Sequence, residues 1–183
     1  MHYRPSVLEI YFGPMKSGKT RALMDRLDKI SFTEYKTLVA RPACDTRTIR
    51  GIEARPIIDP QELLKERYDI IAIDEVQLFS SEIVEVIKQL LAKGTNVLVA
   101  GLNLDFRGEP FGPMPLLLSY ADRFYPLTAV CDKPGCNSPA TRTQRLIDGR
   151  PAPYDAPLIS IEGTKQEETY EARCMKHHEV RNV

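Results

Sequence analysis

Gly13, Pro14, Met15, Lys16, Ser17, Gly18, Lys19 and Thr20 match the pattern G-x-x-x-x-G-K-[ST] at every position. Glycines let a backbone wrap closely around phosphate oxygens, and the N–H groups at the start of a following helix attract anions. Lys19 supplies a positive charge for β and γ phosphates, and Thr20 a hydroxyl for Mg²⁺. Asp74 ends the apolar run Ile70–Ile73, which puts it at the carboxyl end of a strand, the edge where open α/β sheets bind ligands. It is the second candidate for Mg²⁺. Glu75 stands beside it and is the candidate general base. An ATPase uses the same parts to activate water, so these residues alone leave hydrolysis and transfer to an acceptor both open.

A second constellation lies near the other end of the chain. Cys131 and Cys136 form one pair, Cys174 and His177 another, with the short internal spacings common in zinc sites. Pro134-Gly135 supplies a turn between the first two thiols. Three thiolates and an imidazole fill a tetrahedron, so such a zinc ion is structural. Spacing favours His177 over His178 as the fourth ligand. Buried unligated thiols, or a Cys131–Cys136 disulfide, are the competing readings. Cys44 has no partner at ligand spacing and reads as an ordinary thiol.

These groups need a scaffold to hold them. Val7–Phe12 reads as a buried strand entering the glycine loop. Leu23, Leu27 and Ile30 recur at helical spacing, which predicts an amphipathic helix over 19–30. Thr37–Ala40 and Ile52–Ile58 read as further strands, the latter at an edge because of Pro56. Asp59 and Pro60 start a short helix. Then come a strand over 68–73, a helix capped by Ser80 or Ser81 and stopped by Gly94, and a strand over 96–100. These strands are apolar without alternation, which predicts an α/β fold with a parallel sheet and helices on both faces. Gly101–Pro115 reads as a loop. From Ala121 the pattern turns β-prone and cysteine-rich, so a boundary is expected near residue 130, between an ATP-binding domain (1–130) and a zinc-binding domain (131–183). Asp148–Ala156 reads as an exposed loop inside the second unit.

Composition narrows the field. The chain has 183 residues, 43% hydrophobic, with 25 acidic and 25 basic side chains and a formal net charge of zero. Such balance excludes the broad basic footprint of a protein that grips duplex nucleic acid. No apolar run approaches the ~18 residues of a membrane span, and the first residues lack the order of a signal peptide. With 4 cysteines and 14 prolines, a reduced, cytoplasmic protein is expected.

Five strings occur in order: Gly13–Thr20 (GPMKSGKT), Asp74–Phe79 (DEVQLF), Gly101–Gly112 (GLNLDFRGEPFG), Thr141–Leu146 (TRTQRL) and Tyr170–His177 (YEARCMKH). Together they resemble the thymidine kinases of the cytosolic, zinc-containing type. The resemblance implies transfer of the γ-phosphoryl group of ATP to the 5′-hydroxyl of thymidine, giving dTMP and ADP. It also implies a RecA-like domain, a small zinc domain with a lasso loop closing over the nucleoside, a homotetramer, and feedback inhibition by dTTP. Glu75 then matches the catalytic base. Met15, Leu102, Phe106, Phe111 and Tyr170 match the walls of the nucleoside site, and Thr143 a residue near the thymine ring. Main-chain groups between about Ile159 and Tyr170 would read the base edge. Asp45-Thr46-Arg47 resembles a segment that approaches the phosphates; Arg47 and Arg107 are either phosphate neutralisers or solvated arginines. Leu78 stands where the family often has Phe, Glu162–Thr169 makes a longer lasso than usual, and the Cys131–Cys136 spacing is wider than the family's. Preference between thymidine and deoxyuridine stays open. The rival readings are a P-loop ATPase with a structural zinc knuckle, and a zinc-knuckle module for single-stranded nucleic acid, against which the lack of basic clustering near Cys131–His177 argues.

Overall fold

The computed structural model describes residues 6–45, 53–159 and 167–181. Strands β1 (Leu8–Phe12), β2 (Thr37–Pro42), β3 (Arg55–Ile57), β4 (Ile70–Ile73), β5 (Asn96–Gly101) and β6 (Arg123–Pro126) form a six-stranded sheet in the order β3-β2-β4-β5-β1-β6. Every pairing in it is parallel. Side chains alternate between its two faces. Leu8, Ile10, Ile71, Ile73, Val97 and Val99 meet α2 (Glu82–Ala92) and α3 (Met114–Tyr120) through Ile83, Ile87, Leu90, Met114 and Leu117. Tyr11, Ile70, Ala72, Leu98 and Ala100 meet α1 (Lys19–Ile30) through Leu23, Met24, Leu27 and Ile30. Each fully buried aliphatic side chain contributes about 1.5–3 kcal/mol, so strands covered on both sides have no face free for polar residues. That is why β4 is apolar at every position.

Several elements depart from the sequence expectations, each for a local reason. α3 begins inside the stretch that glycine and proline density marks as loop. Pro115 lies in its first turn, where a missing N–H costs nothing. β6 is exposed at all its positions, so no apolar run announces it. Pro60–Leu64 winds as a 3₁₀ turn, held by the expected Asp59 cap and the reciprocal bond from Glu62 to the Asp59 N–H. Ser81 occupies the cap position of α2, but neither serine's hydroxyl completes the expected cap, since the cap residue makes no side-chain bond there. Of the predicted 52–58 strand, Arg55–Ile57 is seen at the sheet edge, and Ile52 lies outside the described residues.

After β6 the chain makes small antiparallel sheets. β7 (Ala129–Val130) pairs with β8 (Pro139–Ala140), and β9 (Arg142–Ile147) lies between β10 (Arg150–Pro151) and β11 (Glu168–Arg173). The 148–156 stretch is a correction. Asp148-Gly149 and Tyr154-Asp155 are exposed turns as expected, but between them β10 pairs with β9, and Ala152 and Ala156 bury against Phe106. Among the described residues, no helix is long and apolar enough to cross a membrane.

Candidate active site

The carboxyl ends of β1, β2, β4 and β5 converge on one edge of the sheet. β1 runs into the glycine loop, and α1 starts at Lys19. Thr20 Oγ1 donates to Asp74 Oδ2 at 2.8 Å, while Asp74 Oδ1 accepts the Glu75 N–H at 3.0 Å. Lys19 is buried and its Nζ donates to the Pro14 carbonyl at 2.7 Å. The loop is also tied to the antiparallel unit. The Met15 N–H donates to Thr143 Oγ1 at 3.1 Å, and Lys16 pairs with Asp132 at 2.8 Å.

Glu75 is only 5% exposed and sits in the left-handed region, with φ 52°. Such a backbone costs about 1–3 kcal/mol in a non-glycine residue and persists only where the surroundings enforce it. The Asp74 carboxylate enforces it from one side. On the other, Gln77 Nε2 donates to Glu75 Oε2 at 2.6 Å.

A cavity of about 260 Å³ opens on Glu75. Met15, Leu102, Phe106, Phe111, Thr143 and Tyr170 all line it. Phe106 and Phe111 are buried, and Phe106 also packs on Ala152 and Ala156, so it is both wall and core. Burial pushes the Tyr170 hydroxyl above the usual phenol range. Leu78, which stands where the family often has Phe, is part of the lining. Cys44, Asp45, Gln77, Leu158 and Ile159 line the cavity too. Sequence reasoning gave Cys44 no role; its position after β2 on the same sheet edge is the signal that could have placed it. Arg107 does not line the cavity. It pairs with Asp105 at 3.0 Å and lies over the Tyr154 ring. Arg47 and most of the expected lasso lie outside the described residues.

Two buried polar residues escaped the sequence reading. Gln77 is 3% exposed, and its Oε1 accepts the Leu102 N–H at 3.0 Å. Arg145 sits behind Phe106, with its guanidinium 5.4 Å from the ring centroid and paired with Glu168 at 2.6 Å. A glutamine in a strand-end turn and an arginine in a polar strand carry no periodicity that would mark them as buried.

Cys131, Cys136, Cys174 and His177 offer ligand atoms that all lie within 4.8 Å of one another. His177 Nδ1 is 3.4 Å from the Cys174 sulfur and 3.7 Å from that of Cys131. The neighbouring His178 turns away, its Nε2 2.9 Å from the Phe106 carbonyl. The Ser138 hydroxyl and N–H draw the Cys136 thiol down to about 7. Burial opposes ionisation of Cys131, but backbone hydrogen bonds at Cys174 and Lys133 bring it below the ordinary thiol value. Cys174 is raised by its burial. Soft sulfur and imidazole donors gathered this closely fit a zinc site.

A phosphate-loop signature on a parallel sheet, opening beside a cavity with aromatic walls, defines a P-loop protein of the α/β class. The family model described as thymidine kinase matches residues 6–178. The chain is 46% identical to the thymidine kinase of Coprothermobacter proteolyticus, over 94% of this chain and 90% of that protein. It is 40% identical to the thymidine kinase of Thermococcus kodakarensis, over 94% of each. Among solved structures, a DNA replication initiation factor superposes with a TM-score of 0.43 and 11% identity, over 67% of this chain and 40% of that one. The chain belongs to the thymidine kinase family.

Proposed function

We propose that this protein transfers the γ-phosphoryl group of ATP to the 5′-hydroxyl of thymidine, giving dTMP and ADP. The observation that carries the reading is the cavity of about 260 Å³ in which the Glu75 carboxylate meets apolar walls one residue away from the Asp74–Thr20 pair. An ATPase needs a water beside its glutamate; an aromatic slot of this size suits a flat base and a sugar instead. Gly13 to Thr20 hold the triphosphate in this account, with Lys19 exchanging the Pro14 carbonyl for phosphate oxygens.

The hard oxygens of Thr20 and Asp74, 2.8 Å apart, suit Mg²⁺. Bound with ATP, that ion would neutralise charge on the β and γ phosphates. Glu75 accepts a hydrogen bond from the 5′-hydroxyl, aims its oxygen in line with the γ-phosphorus, and takes the proton late, because the transition state is loose. Phe106, Phe111, Leu102 and Tyr170 exclude water and stack the base, which strengthens each charge contact inside. Thr143 and Met15 close the slot against the phosphate loop. Cys131, Cys136, Cys174 and His177 would hold Zn²⁺, which supplies a closed structural clamp and no reactive position. The reading extends to a division of labour between residues 1–130 and 131–183, a cytoplasmic homotetramer, and dTTP as feedback inhibitor. Support for assembly comes from the exposed rings of Phe124 and Tyr125 on edge strand β6. Deoxyuridine is a second acceptor to test, because one methyl in an apolar pocket discriminates by only ~1–3 kcal/mol.

The test is transfer from γ-labelled ATP to a panel of nucleosides, repeated with Glu75→Gln. Labelled dTMP is expected, and the variant should bind ATP normally while turnover falls ~10²–10⁴-fold. Label released only as free phosphate, indifferent to thymidine, would instead favour the ATPase.

A further inference from the structure

Gln77 lies in the turn after β4, buried at 3% exposure on the edge of the cavity. Its Nε2 donates to Glu75 Oε2 at 2.6 Å, and its Oε1 accepts the Leu102 N–H at 3.0 Å. The second bond fixes the first. A backbone N–H can only donate, so the amide oxygen must face Leu102 and the amide nitrogen must face Glu75. An amide flip would set two donors together at Leu102 and two acceptors together at Glu75.

Two glycines make room for this residue. A Cβ on Gly101 would stand 2.6 Å from Gln77 Oε1 and 3.0 Å from Val76 Cγ1. At Gly112, which has φ +51°, a Cβ would run into the Gln77 carbonyl. Glycine at the two ends of the Gly101–Gly112 loop therefore admits this glutamine, its amide at one end and its carbonyl at the other. The result is a continuous chain of hydrogen bonds. It runs from Thr20 Oγ1 to Asp74 Oδ2, from the Glu75 N–H to Asp74 Oδ1, from Gln77 Nε2 to Glu75 Oε2, and from the Leu102 N–H to Gln77 Oε1. It joins the phosphate loop to the loop that begins at Leu102, a residue of the cavity wall.

We propose that Gln77 is a positioning residue for phosphoryl transfer. It donates to Glu75 Oε2 and locks that carboxylate in register with Leu102, so the carboxylate meets the acceptor hydroxyl from a fixed position. This rests on the reading of Glu75 as the group facing a nucleoside alcohol. Because Gln77 acts through Glu75, its loss degrades alignment and leaves binding largely intact. A misplacement of about 1 Å in such a group costs on the order of 10²-fold in rate.

The experiment compares Gln77→Met, which keeps length and bulk but has no donor, with Gln77→Glu. The latter keeps an acceptor for Leu102 but sets a second carboxyl against Glu75, so that the two hold one proton between them and Glu75 is a poorer base. Turnover, the KM for thymidine, ATP affinity, melting temperature and hydrogen exchange at the Leu102 amide are measured for each. For Gln77→Met, turnover should fall about 10²-fold while the thymidine KM and ATP affinity change less than about threefold. The Leu102 amide should exchange faster in Gln77→Met and stay protected in Gln77→Glu, with turnover lost in both. Three results overturn the inference: full turnover in Gln77→Met, turnover restored in Gln77→Glu along with Leu102 protection, or failure of both variants to fold, which would make Gln77 a core residue only. If the wild-type protein transfers nothing to thymidine, the acceptor reading itself fails, and the role assigned to Gln77 falls with it.

Discussion

Arg145 is a permanent charge with 2% of its surface reaching water, and it survives there because both terminal nitrogens and one face are occupied, while its buried Nε makes no hydrogen bond. One nitrogen donates to the Pro157 carbonyl, another to Glu168 Oε1 at 2.6 Å, and the plane lies over Phe106. Removing one partner of a buried pair strands the other. Arg145→Met should therefore destabilise the protein by about 3–5 kcal/mol, read as a shifted urea midpoint. Pro157 precedes the segment expected to form the lasso and Glu168 lies near its far end, so the same variant should raise the KM for thymidine more than that for ATP. Equal changes in both constants would mean that Arg145 supports the fold without bearing on the nucleoside side. None of this was legible in Thr141–Leu146, where an arginine between glutamine and leucine reads as a solvated strand residue. The phosphate loop and the Asp74-Glu75 pair were legible for the opposite reason: their chemistry demands particular residues at fixed spacing, whatever the packing around them.

Among the elements, β6 and α3 show where patterns fail. β6 has no buried position, and what holds it to the sheet is pairing with β1 together with Glu9. That buried carboxylate on β1 takes Arg26 of α1 at 3.1 Å and Arg123 of β6 at 3.1 Å, so a single side chain joins three elements. Burial works to raise the Glu9 pKa, but the hydrogen bond and charge of Arg26, with help from Tyr11 and Arg123, hold it below the usual glutamate range. A depressed carboxylate contributes stability above its unfolded pKa and loses that contribution as pH falls through the folded value. Glu9→Gln should cost about 1–2 kcal/mol at neutral pH, limited because both guanidiniums reach water. The gap should close in acid, below the ordinary glutamate value of about 4.5. Urea titrations at pH 7 and at decreasing pH test this; a gap independent of pH would show that the pair contributes through packing alone. The central strands, by contrast, were readable because burial on both faces writes itself into composition, whereas an edge strand held by charge leaves only a short polar string.

At the scale of the molecule, the phosphate loop and the cysteine cluster belong to one bonded assembly. Asp132, the residue after Cys131, accepts from Lys16 at 2.8 Å and from the Ala172 N–H of β11 at 2.7 Å. Thr143 of β9 accepts from Met15. On its own the Lys16–Asp132 pair is partly exposed and worth about 0–1 kcal/mol. Asp132→Asn should therefore leave the bound metal in place and change ATP affinity by no more than about fivefold. Cys174→Ser acts differently. With a ligand gone, a unit too small to hold itself by a hydrophobic core loosens as a whole, and its contacts to Met15 and Lys16 go together. Bound zinc per chain should drop towards zero by elemental analysis, the KM for thymidine should rise tenfold or more, and ATP affinity should fall further than in Asp132→Asn. The comparison between the variants carries the argument, because the first cuts one contact and the second releases the unit that presents them all. Zinc lost from Cys174→Ser with ATP affinity untouched would mean that the phosphate loop holds its shape from β1 and α1 alone.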